Sequence, residues 1–222
     1  MDNILEVRNL TKQYADFTLD HVSFSIPKGT IMGLIGENGA GKSTTINAIL
    51  DLIHKDDGTV TFWGQELSSA KQLKEDIGVV FDGINFYETL TAAKVGKISQ
   101  TAYKQWNDRL YREYLNRFQL PADKEIKTFS KGMKMKLCIA VALSHKPKLL
   151  ILDEATNGLD PVMRDDILDV FLEFVQDEEH SILISSHITT DLEKVADSIT
   201  FIHQGKVLFC KAKDELLYHY GI

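Results

Sequence analysis

The stretch Gly36-Glu37-Asn38-Gly39-Ala40-Gly41-Lys42-Ser43 decides how the rest of the chain is read. It fits the pattern G-x-x-x-x-G-K-[ST] at every position. Glycines at these places let the backbone wrap a phosphate and offer it N–H groups. Lys42 supplies a cation for the outer phosphates, and the Ser43 hydroxyl is a ligand for Mg2+. The flanks agree with this reading. Residues 30–35 are a short apolar run fit for a buried strand, and residues 42–52 read as a helix. A helix that begins at the lysine adds the positive potential of its N-terminus.

Strand and helix signals continue outward on both sides. Residues 4–8 and 19–26 alternate apolar and polar, so they read as strands joined by a turn near Ala15-Asp16. Turns at Pro27-Lys28-Gly29 and Asp56-Asp57-Gly58 punctuate the next strands, 30–35 and 59–63. After a strand at 77–81 the character changes. Residues 83–145 are mostly helical in pattern, with Trp106, Leu110, Tyr114 and Phe118 at helical spacing within 103–118. Alternation then resumes, with strands at 148–152, 181–185, 199–203 and 206–210 and helices at 161–176 and 189–196. Such alternation predicts a mainly parallel sheet with helices on its faces, here interrupted by a helical insertion.

The bulk properties set limits. The chain has 222 residues, 44% of them hydrophobic, enough for one large domain with a real core. Its net charge of -7 argues against a nucleic-acid partner. Cys138 and Cys210 sit in apolar surroundings without metal-site spacing and are expected to be buried thiols. The opening residues MDNILEVRNL lack the apolar core of a secretory signal, and no run approaches the ~18 apolar residues of a membrane span. The chain is expected to be soluble, with any membrane link made through a partner.

Three further features bear on the phosphate site. Leu149-Leu150-Ile151-Leu152-Asp153 is an apolar strand ending in a carboxylate, the place from which a neighbouring strand holds Mg2+ in phosphate-loop proteins. Glu154 follows at once and suits a base that orients and deprotonates an attacking water. His187 lies just past the strand 181–185, at a carboxyl end of the sheet, where ligands of open α/β sheets bind.

Taken in this order, the pieces resemble the ATP-binding subunit of an ABC transporter, from Tyr14 to about Phe209. They look most like bacterial export-type subunits. The fold this implies is α/β: a P-loop NTPase (RecA-like) core with an N-terminal antiparallel β part and an inserted α-helical subdomain. One ABC ATPase domain would span residues 1–222, with 1–82 and 146–222 as the catalytic core and 83–145 as the helical subdomain.

The resemblance also implies roles. Gly36, Glu37, Asn38, Gly39, Ala40, Gly41, Lys42, Ser43 and Thr44 form the Walker A segment that binds ATP. Tyr14 matches the aromatic that stacks on adenine. Ser43 and Asp153 hold Mg2+, Glu154 is the catalytic glutamate, His187 the switch histidine and Asp160 the D-loop aspartate. Phe129-Ser130-Lys131-Gly132-Met133 falls where the family has its signature, commonly LSGGQ, which covers the ATP of a second subunit. Ser130 is also a good N-cap for a helix starting at Lys131.

Three positions depart from the family pattern. Lys131 replaces a usual glycine, Met133 a usual glutamine, and Asp82 a usual glutamine that ligates Mg2+. Asp82 is expected to keep the metal-facing role, because a carboxylate is also a Mg2+ ligand. The activity implied is hydrolysis of ATP to ADP and phosphate, coupled to export. The partners implied are a second ATP-binding subunit, identical or related, and separate transmembrane permease subunits, with the loop 82–91 passing on the motion. The location implied is cytoplasmic, peripheral on the inner face of the cell membrane through the permease. The DNA-repair and translation relatives of this family use long coiled coils or paired domains, and the chain has a signal for neither.

Overall fold

The computed structural model describes residues 2–83 and 86–220. Two sheets form the frame. The smaller is antiparallel, in the order β2-β1-β4, from β1 (Asn3–Gln13), β2 (Thr18–Pro27) and β4 (Asp57–Phe62). The larger has six strands. They are β5 (Ile77–Val80), β6 (Leu149–Asp153), β7 (Ser181–Ser186), β3 (Ile31–Ile35), β8 (Ser198–His203) and β9 (Lys206–Ala212), in that order across the sheet. All neighbours are parallel except β8 and β9.

The central strands read as unbroken apolar runs because both faces of the sheet are covered. Every residue of β6 is buried. Alternate side chains serve opposite layers, as the period of two requires. Leu150 and Leu152 join a cluster with Leu137, Ile139, Ile167 and Phe171. Leu149 and Ile151 join another with Ile46, Ile49 and the antiparallel sheet's Leu5, Val7 and Phe62. Each such side chain contributes about 1.5–3 kcal/mol through burial.

Helix α1 (Lys42–Ile49) is three residues shorter than its pattern suggests. Asp51 takes a left-handed φ of 58°, which ends the helix and leaves Leu52 exposed. Within 103–118 only Asp108–Arg117 is helical. Helix α2 (Ala92–Ala102) ends at Tyr103, and α3 (Asp108–Arg117) begins where the Asn107 side chain accepts from the Leu110 amide at 3.0 Å. An asparagine cap that satisfies an orphan helix donor outweighs the run of apolar spacing. Beyond them lie α4 (Lys131–Ser144), α5 (Pro161–Phe174), α6 (Thr189–Val195) and α7 (Lys213–Tyr220). Cys138 is buried as expected, but Cys210 is exposed, because β9 is the edge strand and alternate residues along it are exposed. Among the described residues no helix is long and apolar enough to cross a membrane.

Behind β5, His145 closes α4, stacks on Tyr103 and faces the Ile77 carbonyl. Burial pushes its pKa below the ordinary histidine value. Ile84 and Asn85, in the loop assigned to permease contact, lie outside the described residues.

Candidate ATP site

The sheet order gathers the site. The segments after β5, β6, β7 and β3 carry Asp82, Glu154, His187 and the loop 36–41, and these strands are neighbours. Their carboxyl ends form the crevice where open α/β sheets bind ligands.

The loop between β3 and α1 is tight for identifiable reasons. Gly41 stands at the N-cap with φ 112°, a conformation that side chains rarely adopt, and no side chain caps the helix. A Cβ on Gly36 would stand 2.3 Å from the Ile202 carbonyl, so only glycine lets β8 pass this close. The first amides of α1 therefore face the cleft without a side-chain competitor, which suits an anion.

Lys42 is buried and folds back over the loop. Its ammonium donates to the carbonyls of Gly36 at 2.8 Å and Glu37 at 3.2 Å, and lies 3.1 Å from Glu154 Oε1. The other carboxylate oxygen of Glu154 meets His187 Nδ1 at 2.7 Å. Glu154 is thus clamped between a lysine and a histidine. Its backbone has φ 54°, which costs of order 1 kcal/mol for a residue of this kind and persists only when the surroundings impose it. Here its amide donates to the Ser185 carbonyl at 3.2 Å and to Ser185 Oγ at 3.0 Å. The Ser185 hydroxyl in turn donates to Asp153 Oδ1 at 2.6 Å. Asp153 and Ser185 are register partners on β6 and β7. Ser185 thereby orients the Asp153 carboxylate and fixes the backbone of Glu154.

A cleft of about 630 Å³ opens over this arrangement, lined by Asp16, Phe17, Asn38, Gly39, Gly41, Lys42, Ser43, Thr44, Asp82, Glu154 and Asn157. It brings together Asp82 and Glu154 with six residues of the phosphate loop and the start of α1. Asp153 is buried behind it. His187 reaches it through Glu154 and itself lines an adjoining cleft with Ile35, Gly36 and Glu37. Tyr14 does not line the cleft. It follows β1 directly and is half exposed, with Lys12 over its ring at 5.5 Å. Phe17, which meets Tyr14 through a 2.8 Å turn bond, takes the place beside the loop, close to Gly41. An aromatic three residues on from Tyr14 was the signal available for it.

The signature segment lies outside the cleft. Ser130 Oγ accepts from the Met133 amide at 3.2 Å and caps α4, which leaves the hydroxyl proton free to point outward. Met133 packs partly buried against the core. Asp160 caps α5, its carboxylate accepting from the Met163 amide at 3.0 Å. Lys131 and Asp82 meet each other, Nζ to Oδ1 at 3.5 Å.

A largely parallel sheet with this phosphate loop, a buried lysine and two strand-end carboxylates defines an ATPase of the P-loop class. The pattern of the ABC transporter family matches residues 19–157. The lantibiotic transport ATP-binding protein SrtF of Streptococcus pyogenes is 39% identical over 95% of this chain and 92% of its own length. The bacitracin transport ATP-binding protein BcrA of Bacillus licheniformis is 35% identical over 94% of this chain and 69% of its own. The solved structure of an ATP-binding subunit of an ABC transporter aligns with a TM-score of 0.86 at 30% identity, covering 98% of this chain and 93% of that one. The chain belongs to the ABC transporter family, as an ATP-binding subunit that hydrolyses ATP to power transport.

Proposed function

We propose that the cleft over Lys42 holds the triphosphate of ATP and that two such subunits close head to tail over two ATP molecules. The clamp on Glu154 carries this reading. The Glu154 carboxylate is the anion that neutralises Lys42. An incoming γ-phosphate takes over the lysine, and Glu154 turns to the water in front of it. His187 keeps hold of the carboxylate. The water oxygen bonds to the γ-phosphorus as its proton passes to Glu154, and the bond to the leaving ADP oxygen breaks. Ser43 and Asp153 supply a hydroxyl and a carboxylate, hard oxygen ligands that fit Mg2+. When bound, that ion neutralises charge on the phosphate oxygens. Phe17 or Tyr14 offers a face for the adenine.

The second subunit brings Ser130 to the γ-phosphate, with the Gly132 amide and the start of α4 behind it. In this scheme 1–82 and 146–222 act as the catalytic core and 83–145 as a helical subdomain that passes the motion to membrane permease subunits. A groove supports that coupling. Leu50, Leu52, Leu67, Ile77, Val79 and Phe81 line an apolar depression of about 280 Å³ beside the loop that starts at Asp82. The location that follows is the inner face of the membrane, through the permease. The cargo we assign is a peptide antibiotic moved outward, the class named in the lantibiotic and bacitracin relatives.

Ser130→Ala tests the pairing. ATP affinity of the isolated chain is expected to stay within about twofold, while turnover falls on the order of 100-fold, the effect of losing one preorganised donor. The lost cap costs about 1 kcal/mol of stability, so both are measured well below the unfolding midpoint. Equal losses in affinity and turnover, or no loss in turnover, would remove the signature from the reaction.

A further inference from the structure

Asp82 and Lys131 are the two charged departures from the family pattern, and they lie 49 residues apart in sequence (131 minus 82). They are also each other's partners at 3.5 Å. Lys131 opens α4, and Asp82 follows β5 and lines the phosphate cleft with Lys42 and Glu154. The same lysine lies against the loop after β6, its Nζ 3.1 Å from where a Cβ on Gly158 would stand. Three segments of the site therefore meet at one ammonium.

We propose that Asp82 and Lys131 are a compensating pair that positions the signature helix against the loop after β5. This rests on the ATP-site reading above. The physical need is clear from the charges. A carboxylate where glutamine is usual adds a negative charge to a cleft that receives a triphosphate and already holds Glu154. A lysine where glycine is usual cancels it from the neighbouring element. Both side chains are about half exposed, 54% for Lys131 and 41% for Asp82, so the pair adds little to global stability. Its effect belongs to the site: each charge alone misplaces the other segment, and removing both restores the balance.

The test is a cycle of Asp82→Gln, Lys131→Gln and the double variant, read as ATP turnover at low and high salt. Each single change is expected to lower turnover roughly fivefold, and the double variant is expected to be no worse than either single. The coupling should shrink in high salt, because exposed charges are screened. A double variant slowed by roughly the 25-fold product of the singles overturns the pair. A second measurement is independent of turnover: zero-length carbodiimide cross-linking of the nucleotide-free chain, with the products mapped by mass spectrometry. An amide bond between Asp82 and Lys131 within one chain is expected, and its absence overturns the proposal. If none of the four proteins hydrolyses ATP, the ATP-site reading fails, and the cross-link still decides the pair.

Discussion

Glu154→Gln is expected to lower ATP turnover by roughly 10²- to 10⁴-fold, the range for loss of a positioned proton acceptor. Glutamine keeps the shape of the side chain and loses its charge and basicity. The same change is expected to tighten ATP binding. Glu154 holds Lys42 at 3.1 Å, with side chains only 13% and 6% exposed. Breaking a pair this buried is part of the cost of admitting a phosphate. With glutamine at 154 the lysine keeps only the carbonyls of Gly36 and Glu37, and the γ-phosphate becomes its one anion. The free variant should also be less stable, since a buried cation is left without its counter-charge. Added Mg2+-ATP should then raise the melting temperature more than in the parent. Isothermal titration and single-turnover phosphate release measure both halves. Near-parental turnover would remove Glu154 from the base role, whatever the affinity.

Lys42→Ala acts on the other member of that clamp and is expected to fail earlier. The charge-assisted bonds of an ammonium to phosphate are worth about 1.5–3 kcal/mol, so ATP affinity should fall on the order of 10- to 100-fold. Repulsion adds to the loss, because Glu154 then faces the triphosphate with His187 as its remaining partner. The distinguishing result is the split between the two variants. Glu154→Gln binds and does not turn over, whereas Lys42→Ala binds poorly. A fluorescent ATP analogue titrated into both shows it. Equal affinities would place the triphosphate elsewhere.

Much of this was legible in the sequence because its signals are local. The loop 36–43 carries its function in its own spacing, and the strand before it and the helix after it are where that function needs them. The apolar run ending at Asp153 reads as a buried strand because both faces of β6 are covered. Local signals also misled. Trp106 and Phe118 share the helical spacing of Leu110 and Tyr114 yet lie outside α3, which Asn107 caps and which ends at Arg117. The run 42–52 continued past Asp51, whose left-handed backbone no periodicity reveals. Cys210 has apolar neighbours in sequence but sits on an edge strand, a fact of sheet order rather than of composition.

What the sequence withheld is long-range. Ser185 holds Asp153 and Glu154 through a contact between β6 and β7, yet in sequence it is one serine of several. Phe17 reaches the phosphate loop because the β1–β2 turn folds over it. Lys131 and Asp82 each look like an isolated oddity until the fold brings them together.

The central claim is that this chain is half of an ATPase, with Lys42 and Glu154 in one copy and Ser130 serving the ATP of the other. The most direct test is phosphate release from Mg2+-ATP per chain, measured over a wide range of chain concentration. The account predicts a specific activity that rises with concentration and levels off as pairs form. A specific activity that is the same at every concentration down to the most dilute, where the chain sediments as a monomer, would contradict it.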